Sequence, residues 1–227
     1  MFSQQFWYMG VLALLVITLE FFTATYASKN RWVARALLWC AATFILAYQI
    51  TLWVKTRQIP IAFSTFSYFL FGIAVFLPLR PLKTVAAFCS FVSGAVYLSA
   101  YVIYPDPIYA YQPAESVRLV GFLLHNLMLF GGLLLYGQYR VEKGDVYYVL
   151  GFLAFVVVYT EVAARVCASE QVNFLTVGII EATLIHRIAP HFVIKWWWYA
   201  LWYALVAAVA WGIWELTGFI NRKLVRQ

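Results

Sequence analysis

Charged residues are scarce in this sequence: they make up 11% of the 227 positions, while 65% of the residues are hydrophobic and 20% are aromatic. An ordinary soluble domain has about 25% charged residues and about 45–50% apolar ones. The composition therefore excludes such a domain and predicts an integral membrane protein. The net charge of +7 comes from basic residues that separate apolar runs rather than cluster in a patch. This pattern argues against nucleic acid as a partner.

The sequence also lacks the patterns that bind metals or form a disulfide framework. Its three cysteines, Cys40, Cys89 and Cys167, show neither C-x-x-C spacing nor a combined Cys/His ligand pattern. We therefore expect no disulfide framework, no metal and no cofactor. The N-terminus lacks the basic region and the small-residue cleavage site of a signal peptide, so we expect the first apolar run to remain as a membrane span.

Long apolar runs dominate what is present. A helix needs about 20 apolar residues to cross a hydrocarbon core of about 30 Å. We therefore predict an all-α polytopic membrane protein, a single transmembrane domain over residues 1–227 with about seven transmembrane helices. The predicted spans are 6–26, 32–54, 59–79, 82–104, 117–136, 146–166 and 196–219. Residues 167–195 are too apolar for a loose loop, but charged residues interrupt them, so we predict a re-entrant or interfacial segment there.

The orientation follows from the lysine and arginine residues, because cytoplasmic loops carry an excess of them. With the N-terminus outside, seven spans leave six of the 16 basic residues outside and ten inside. The outer six are Lys55, Arg57, Arg118, Arg165, Arg187 and Lys195. An eighth span through residues 167–195 would leave seven outside and nine inside, a weaker bias. We therefore predict an outside N-terminus and a cytoplasmic C-terminus, with the bacterial cytoplasmic membrane as the expected location.

One histidine and one asparagine lie side by side in the fifth predicted span. His125 and Asn126 interrupt an otherwise apolar stretch, residues 118–136. An ionisable group at membrane depth is costly and usually faces a bundle interior or a cavity, so His125 is a candidate functional residue. On a helix it shares a face with Gly121 and Gly132, and we predict that this face points inward.

Other polar side chains are predicted at the same depth as His125. Each helical residue advances about 1.5 Å, which puts this layer roughly 7 to 12 Å below the outer ends of the spans. Its members are Gln49, Ser64, Thr65, His125 and Glu161. A hydroxyl, an imidazole and a carboxylate can serve as nucleophile, base and orienting group. We therefore hypothesise that Ser64 or Thr65 attacks an ester and that His125 is the general base.

The supporting residues in this hypothesis are Gln49, Asn126, Glu161 and Arg165. Glu161 precedes Arg165 by four residues, so the two can neutralise each other on one helix face. Each candidate also has a purely structural interpretation. Serine and threonine are common where membrane helices pack closely, and intramembrane charges often form structural pairs.

Four short motifs resemble successive landmarks of the YwaF-like integral membrane family. They are PIAFSTFS at 60–67, GAVYLSAYVIYPDP at 94–107, FLLHNLML at 122–129 and VNFLTVGII at 172–180. In that family a proline-led span carries a small nucleophile-like residue and an aromatic-rich helix ends in Pro-Asp. A histidine follows in the next helix, and an asparagine-aromatic motif lies near the last span. The order and spacing are similar over most of the chain.

The YwaF-like family is distantly related to membrane acyl hydrolases and acyltransferases of the androgen-induced-gene type. The resemblance implies a protein that acts on acyl lipids. It also implies that Ser64 occupies the nucleophile position, with Thr65 as its neighbour, and that His125 occupies the base position. Serine stands here where relatives often have cysteine, which is the more nucleophilic residue.

Two other classes of function fit the same polar layer. A non-catalytic binder or small transporter would use it to line a cavity for a hydrophobic or weakly polar solute. A structural subunit would use it to pack against a larger complex. Membrane lipids are the expected partners in every case, and the sequence indicates no oligomeric state.

Overall fold

The computed structural model describes residues 4–57, 62–103, 115–166 and 196–225. Throughout these residues the regular structure is helical, with no strand. The helices are α1 (Gln4–Ser28), α2 (Arg31–Thr56), α3 (Phe63–Phe76), α4 (Arg80–Ile103), α5 (Glu115–Gln138), a 3-10 turn (Lys143–Asp145), α6 (Val146–Val166) and α7 (Trp196–Val225). The prediction of an all-α fold is confirmed, and the described residues form seven α-helices.

Six of these helices are long and apolar enough to cross a membrane, and α3 is the shorter one. This is compatible with an integral membrane protein. The segment 167–195 and the predicted loop PDPIYAYQP at 105–113 lie outside the described residues, so the re-entrant segment stays a prediction.

The helix ends differ from the predicted spans most clearly in α3 and α7. The described part of α3 ends at Phe76 because Leu77 has an extended backbone before Pro78, a conformation that proline imposes on the residue before it. The last predicted span ends at residue 219, and α7 continues beyond it to Val225, so the polar residues that start with Asn221 are also helical. A helix can extend past the hydrocarbon core, so the end of the span stays a prediction.

Helices α4 and α5 form the most extensive helix contact in the part described, and they run antiparallel. Two glycines allow this close approach. A Cβ atom added to Gly94 would lie 2.6 Å from both the His125 carbonyl oxygen and the Leu129 nitrogen, and one added to Gly132 would lie 2.8 Å from the Phe91 nitrogen. Backbone therefore packs directly against backbone, as is common where small residues line a membrane helix interface.

The α4–α5 pair is the centre of the bundle. In the apolar stretches of α4 and α5, 61% of the residues are buried, whereas 17% are buried in that of α7. Many large apolar side chains are exposed along α1, α2 and α7, as expected for surfaces that face lipid.

The polar turn between α5 and α6 is tied to the start of α4. Arg80 contacts Glu142 at 2.8 Å and Asp145 at 3.0 Å. Asp145 is buried, and its carboxylate also accepts a hydrogen bond from the Glu142 nitrogen at 2.9 Å.

The side chain of Asn221 joins α7 to the same turn. It donates hydrogen bonds to the carbonyl oxygens of Tyr136 and Tyr139 and accepts one from the Val141 nitrogen at 3.0 Å. These are backbone groups at the end of α5, where helical partners run out. Asn221 therefore supplies the partners that the helix end lacks.

The orientation stays a prediction and can be tested by cysteine labelling. In a background with Cys40, Cys89 and Cys167 replaced by alanine, we expect a membrane-impermeant maleimide to label Gln112→Cys in intact cells. We expect it to label Gln227→Cys only after permeabilisation, because the basic-residue excess predicts a cytoplasmic C-terminus. External labelling at position 227 would contradict the predicted orientation.

Candidate functional site

His125 lies in the bundle interior, held by side chains from two other helices. Its side chain is buried, with an exposed fraction of 8%. On one side the imidazole stacks on the Tyr97 ring of α4, with centroids 3.6 Å apart and planes 4° from parallel. On another side the Tyr68 ring of α3 meets it edge-on at 5.6 Å. The sequence therefore brings α3, α4 and α5 together at this residue.

Two hydrogen bonds orient the imidazole. Nδ1 lies 2.7 Å from the Gly121 carbonyl oxygen, one turn earlier on α5, and only a protonated nitrogen can donate to a carbonyl. The Tyr68 hydroxyl lies 3.1 Å from Nδ1 and 3.2 Å from Nε2. Because Nδ1–H donates to Gly121, Nε2 of the neutral ring is the acceptor for the Tyr68 O–H. The ring thus presents its basic nitrogen toward α3.

Ser64 and Thr65 lie in the first turn of α3, four and three residues before Tyr68, and both are half-buried. This separation is about 6 Å and 4.5 Å along the helix axis. Within the described residues, the hydrogen bonds of His125 go to Tyr68 and Gly121 rather than to either hydroxyl. A contact through one water stays a prediction.

Asn126 lies beside His125 and is also buried. Its Nδ2 donates to the Phe122 carbonyl oxygen at 2.6 Å, so this bond stays within α5. Its Oδ1 has no hydrogen-bond partner among the described residues, and the same holds for the buried hydroxyls of Ser90 and Ser93 on α4. The site therefore has unused hydrogen-bonding capacity in a part of the bundle that is otherwise apolar.

The other predicted supporting residues lie on separate helices. Gln49 is buried on α2. Glu161 is on α6 and accepts a hydrogen bond of 3.4 Å from the Tyr203 hydroxyl of α7. The side chain of Arg165 is outside the described part, so its pair with Glu161 stays a prediction. The group that orients the imidazole is the Gly121 carbonyl, and neither Gln49 nor Glu161 bonds to the ring in the described part.

An apolar groove lies beside the start of α3. It has a volume of ≈ 180 Å³, and its wall includes Phe63, Phe88, Val92, Leu153 and Trp202, which come from α3, α4, α6 and α7. All of the lining residues are hydrophobic. Phe63 is the first residue of α3 and the immediate neighbour of Ser64. The groove therefore reaches the helix turn that carries the two candidate hydroxyls.

Sequence reasoning missed Tyr68 and Tyr97, the two side chains that contact the imidazole. One signal could have found them: both tyrosines lie inside apolar runs rather than at their ends. A tyrosine at such a depth needs a partner for its hydroxyl, and an imidazole in another span can supply one.

Among the described residues, no group of three or more His, Cys, Asp or Glu side chains could hold a metal ion. Comparison of the chain with protein-family models, with curated proteins and with solved structures gives no match.

Proposed function

We propose that this protein acts on acyl lipids of the membrane, as an acyl-ester hydrolase or acyltransferase of the bacterial cytoplasmic membrane. Ser64, or its neighbour Thr65, is the nucleophile and His125 is the general base. The acyl chain lies in the apolar groove, and its ester carbonyl reaches the first turn of α3.

One observation carries this proposal: the first two turns of α3 join the groove to the imidazole. Phe63 lines the groove, Ser64 and Thr65 follow directly, and Tyr68 is hydrogen-bonded to His125. This segment of α3 thereby connects a groove that suits a hydrophobic ligand, two hydroxyls and, through Tyr68, a base on α5 that a backbone carbonyl orients.

In the proposed reaction the hydroxyl oxygen attacks the acyl carbon while His125 Nε2 takes the hydroxyl proton, directly or through one water. The imidazolium then returns this proton to the departing alkoxide, which leaves an acyl-enzyme. Attack by water gives a fatty acid, and attack by an acceptor hydroxyl gives a new ester. The base must come within about 2.6 to 3.2 Å of the proton-bearing atom or be linked by one water. In the resting state the Tyr68 hydroxyl donates a hydrogen bond to Nε2. In the proposed reaction this bond breaks when the substrate enters.

A second candidate function is non-catalytic binding of a hydrophobic solute. The observation that favours it is the groove itself, since its wall carries hydrophobic residues alone and would accept an acyl chain without any chemical step.

The two functions are separated by labelling with a serine-reactive fluorophosphonate probe. For an acyl hydrolase or acyltransferase we expect the purified protein to be labelled, and either Ser64→Ala or Thr65→Ala to abolish labelling. His125→Gln should slow labelling by about 10²- to 10⁴-fold, the usual contribution of a positioned base.

The matched control is Ser67→Ala, on the same helix. The Ser67 hydroxyl is buried and donates to the Phe63 carbonyl oxygen at 2.9 Å, so its removal should leave labelling unchanged. If the wild-type protein is not labelled but a photoreactive fatty acid crosslinks to groove residues such as Val206, the binding function is supported and the catalytic one fails.

A further inference from the structure

A second cavity, of ≈ 440 Å³, lies where α2 and α4 begin and α3 and α5 end. These four helix ends lie on one face of the bundle, the face predicted to be cytoplasmic. Its polar wall consists of Arg35, Arg80, Lys83, Gln138 and Tyr139. We call it the basic cavity. It is distinct from the His125 site.

The charges around the basic cavity leave two cations uncompensated. Arg80 is neutralised by Glu142 and Asp145, both within 3.0 Å of its guanidinium. Arg35 lies over the Trp32 ring at 5.6 Å. Within the described part of the chain, neither Arg35 nor Lys83 has a carboxylate partner. Two positive side chains from different helices thus meet at one cavity, which favours an anion.

Two further features supply hydrogen-bond donors to the same cavity. The Nε2 atom of Gln138 is buried and has no hydrogen-bond partner among the described residues. The first turn of α4 starts at Arg80, and the N-terminal end of a helix carries a partial positive charge. Pro81 has no N–H and the Lys83 nitrogen donates to the Leu79 carbonyl oxygen at 3.0 Å, so the backbone donors of this turn are those of Arg80 and Leu82. A phosphate oxygen could accept from these donors, whereas an apolar ligand would leave them unpaired.

The remainder of the wall is apolar and includes Trp39, Phe76 and Leu77. A free phosphate ion would contact only the polar part of such a cavity. An amphiphile would contact both parts, with its charged group at Arg35 and Lys83 and its glycerol and upper acyl carbons against the aromatic side. The volume also falls within the range of about 300–1,000 Å³ typical of small-ligand sites.

We propose that the basic cavity binds the phosphate-bearing headgroup of an anionic phospholipid. Arg35 and Lys83 pair with the phosphate, Gln138 donates a hydrogen bond to it, and the apolar wall holds the adjoining part of the lipid. This site is independent of the acyl-lipid chemistry proposed for Ser64, Thr65 and His125.

The experiment measures the unfolding temperature of the full-length protein in a neutral detergent. Dioleoyl phosphatidylglycerol is added as the anionic probe, dioleoyl phosphatidylcholine as a zwitterionic one, and inorganic phosphate as the free anion. At ten times the apparent Kd of phosphatidylglycerol, we expect that lipid to raise the unfolding temperature by about 3–6 °C. We expect little or no shift from the other two additives.

The test variant is the double substitution Arg35→Gln, Lys83→Gln. We expect it to weaken phosphatidylglycerol binding at least about 10-fold, since each charged contact contributes about 1 kcal/mol. The matched control is Lys55→Gln, Arg57→Gln, which removes the same charge from the opposite end of α2 and should retain the full shift.

Three results would overturn the proposal. An absent shift with phosphatidylglycerol in the wild-type protein would exclude the site. An equal loss in the two double variants would indicate a general effect of surface charge. An equal shift with inorganic phosphate would indicate a phosphate site rather than a lipid site.

Discussion

Replacing Gly94 by alanine is expected to destabilise the protein by about 3 kcal/mol, at the upper end of what an added methyl group costs in a packed core. The new Cβ would lie 2.6 Å from the His125 carbonyl oxygen and from the Leu129 nitrogen. Both are backbone atoms, so relief requires α4 and α5 to move apart. For a chain of this length the unfolding temperature should fall by about 6–12 °C.

The matched control is Gly151→Ala on α6, where an added Cβ has no heavy atom within 4 Å. The same chemical change should there be neutral or stabilise the helix by up to about 1 kcal/mol, because alanine favours helix more than glycine does. Equal unfolding temperatures for the two variants would contradict the tight α4–α5 packing. Circular dichroism in detergent is sufficient for the comparison.

Asn221→Leu is the second substitution for which we expect a large effect. Its side chain satisfies the carbonyl oxygens of Tyr136 and Tyr139 and the nitrogen of Val141. Leucine has a similar volume but no polar atoms, so all three backbone groups lose their partner. Each buried group left unsatisfied costs about 1–3 kcal/mol, and we expect a total loss of about 2–4 kcal/mol after water reaches part of the turn.

Asn126→Leu provides the same substitution at another buried position. Its Nδ2 bonds to the Phe122 carbonyl, which as part of a continuous helix keeps its backbone partner after the change. We therefore expect a loss below about 1 kcal/mol, measured by thermal unfolding beside the Asn221 variant. Similar losses for the two variants would show that Asn221 does not stabilise the end of α5.

The helices were predictable because the length of an apolar run sets the length of a membrane helix. Helix α6 illustrates this, since the turn residues before Val146 limit its apolar run and it begins at Val146, the first residue of the predicted span 146–166. The contacts of Asn221 were not predictable from hydropathy. By hydropathy, Asn221 is a polar residue beyond the membrane. Its hydrogen bonds to the end of α5 depend on the fold, which brings residues of α5 and α7 together.

For the candidate site, sequence reasoning addresses the depth of each side chain but not the rotation of its helix. The rise per residue gives the position of a side chain along its helix, and this put His125 level with Ser64 and Thr65. Which side chains face the imidazole depends on how each helix is turned about its axis. That rotation is set by contacts such as Gly94 against the His125 backbone, which link residues far apart in sequence. Tyr68 therefore contacts the imidazole, although it lies one turn after Ser64 on α3.

The intrahelical hydrogen bonds of α5 have a consequence for biogenesis. His125 and Asn126 each donate to a carbonyl four residues earlier on their own helix, Gly121 and Phe122. A nascent α5 can therefore leave the translocon with these two donors already satisfied, before α3 and α4 have assembled around it. Insertion of α5 and its later association with the other helices then become separate steps. During insertion, fewer polar hydrogens are exposed to lipid, which lowers the cost of that step.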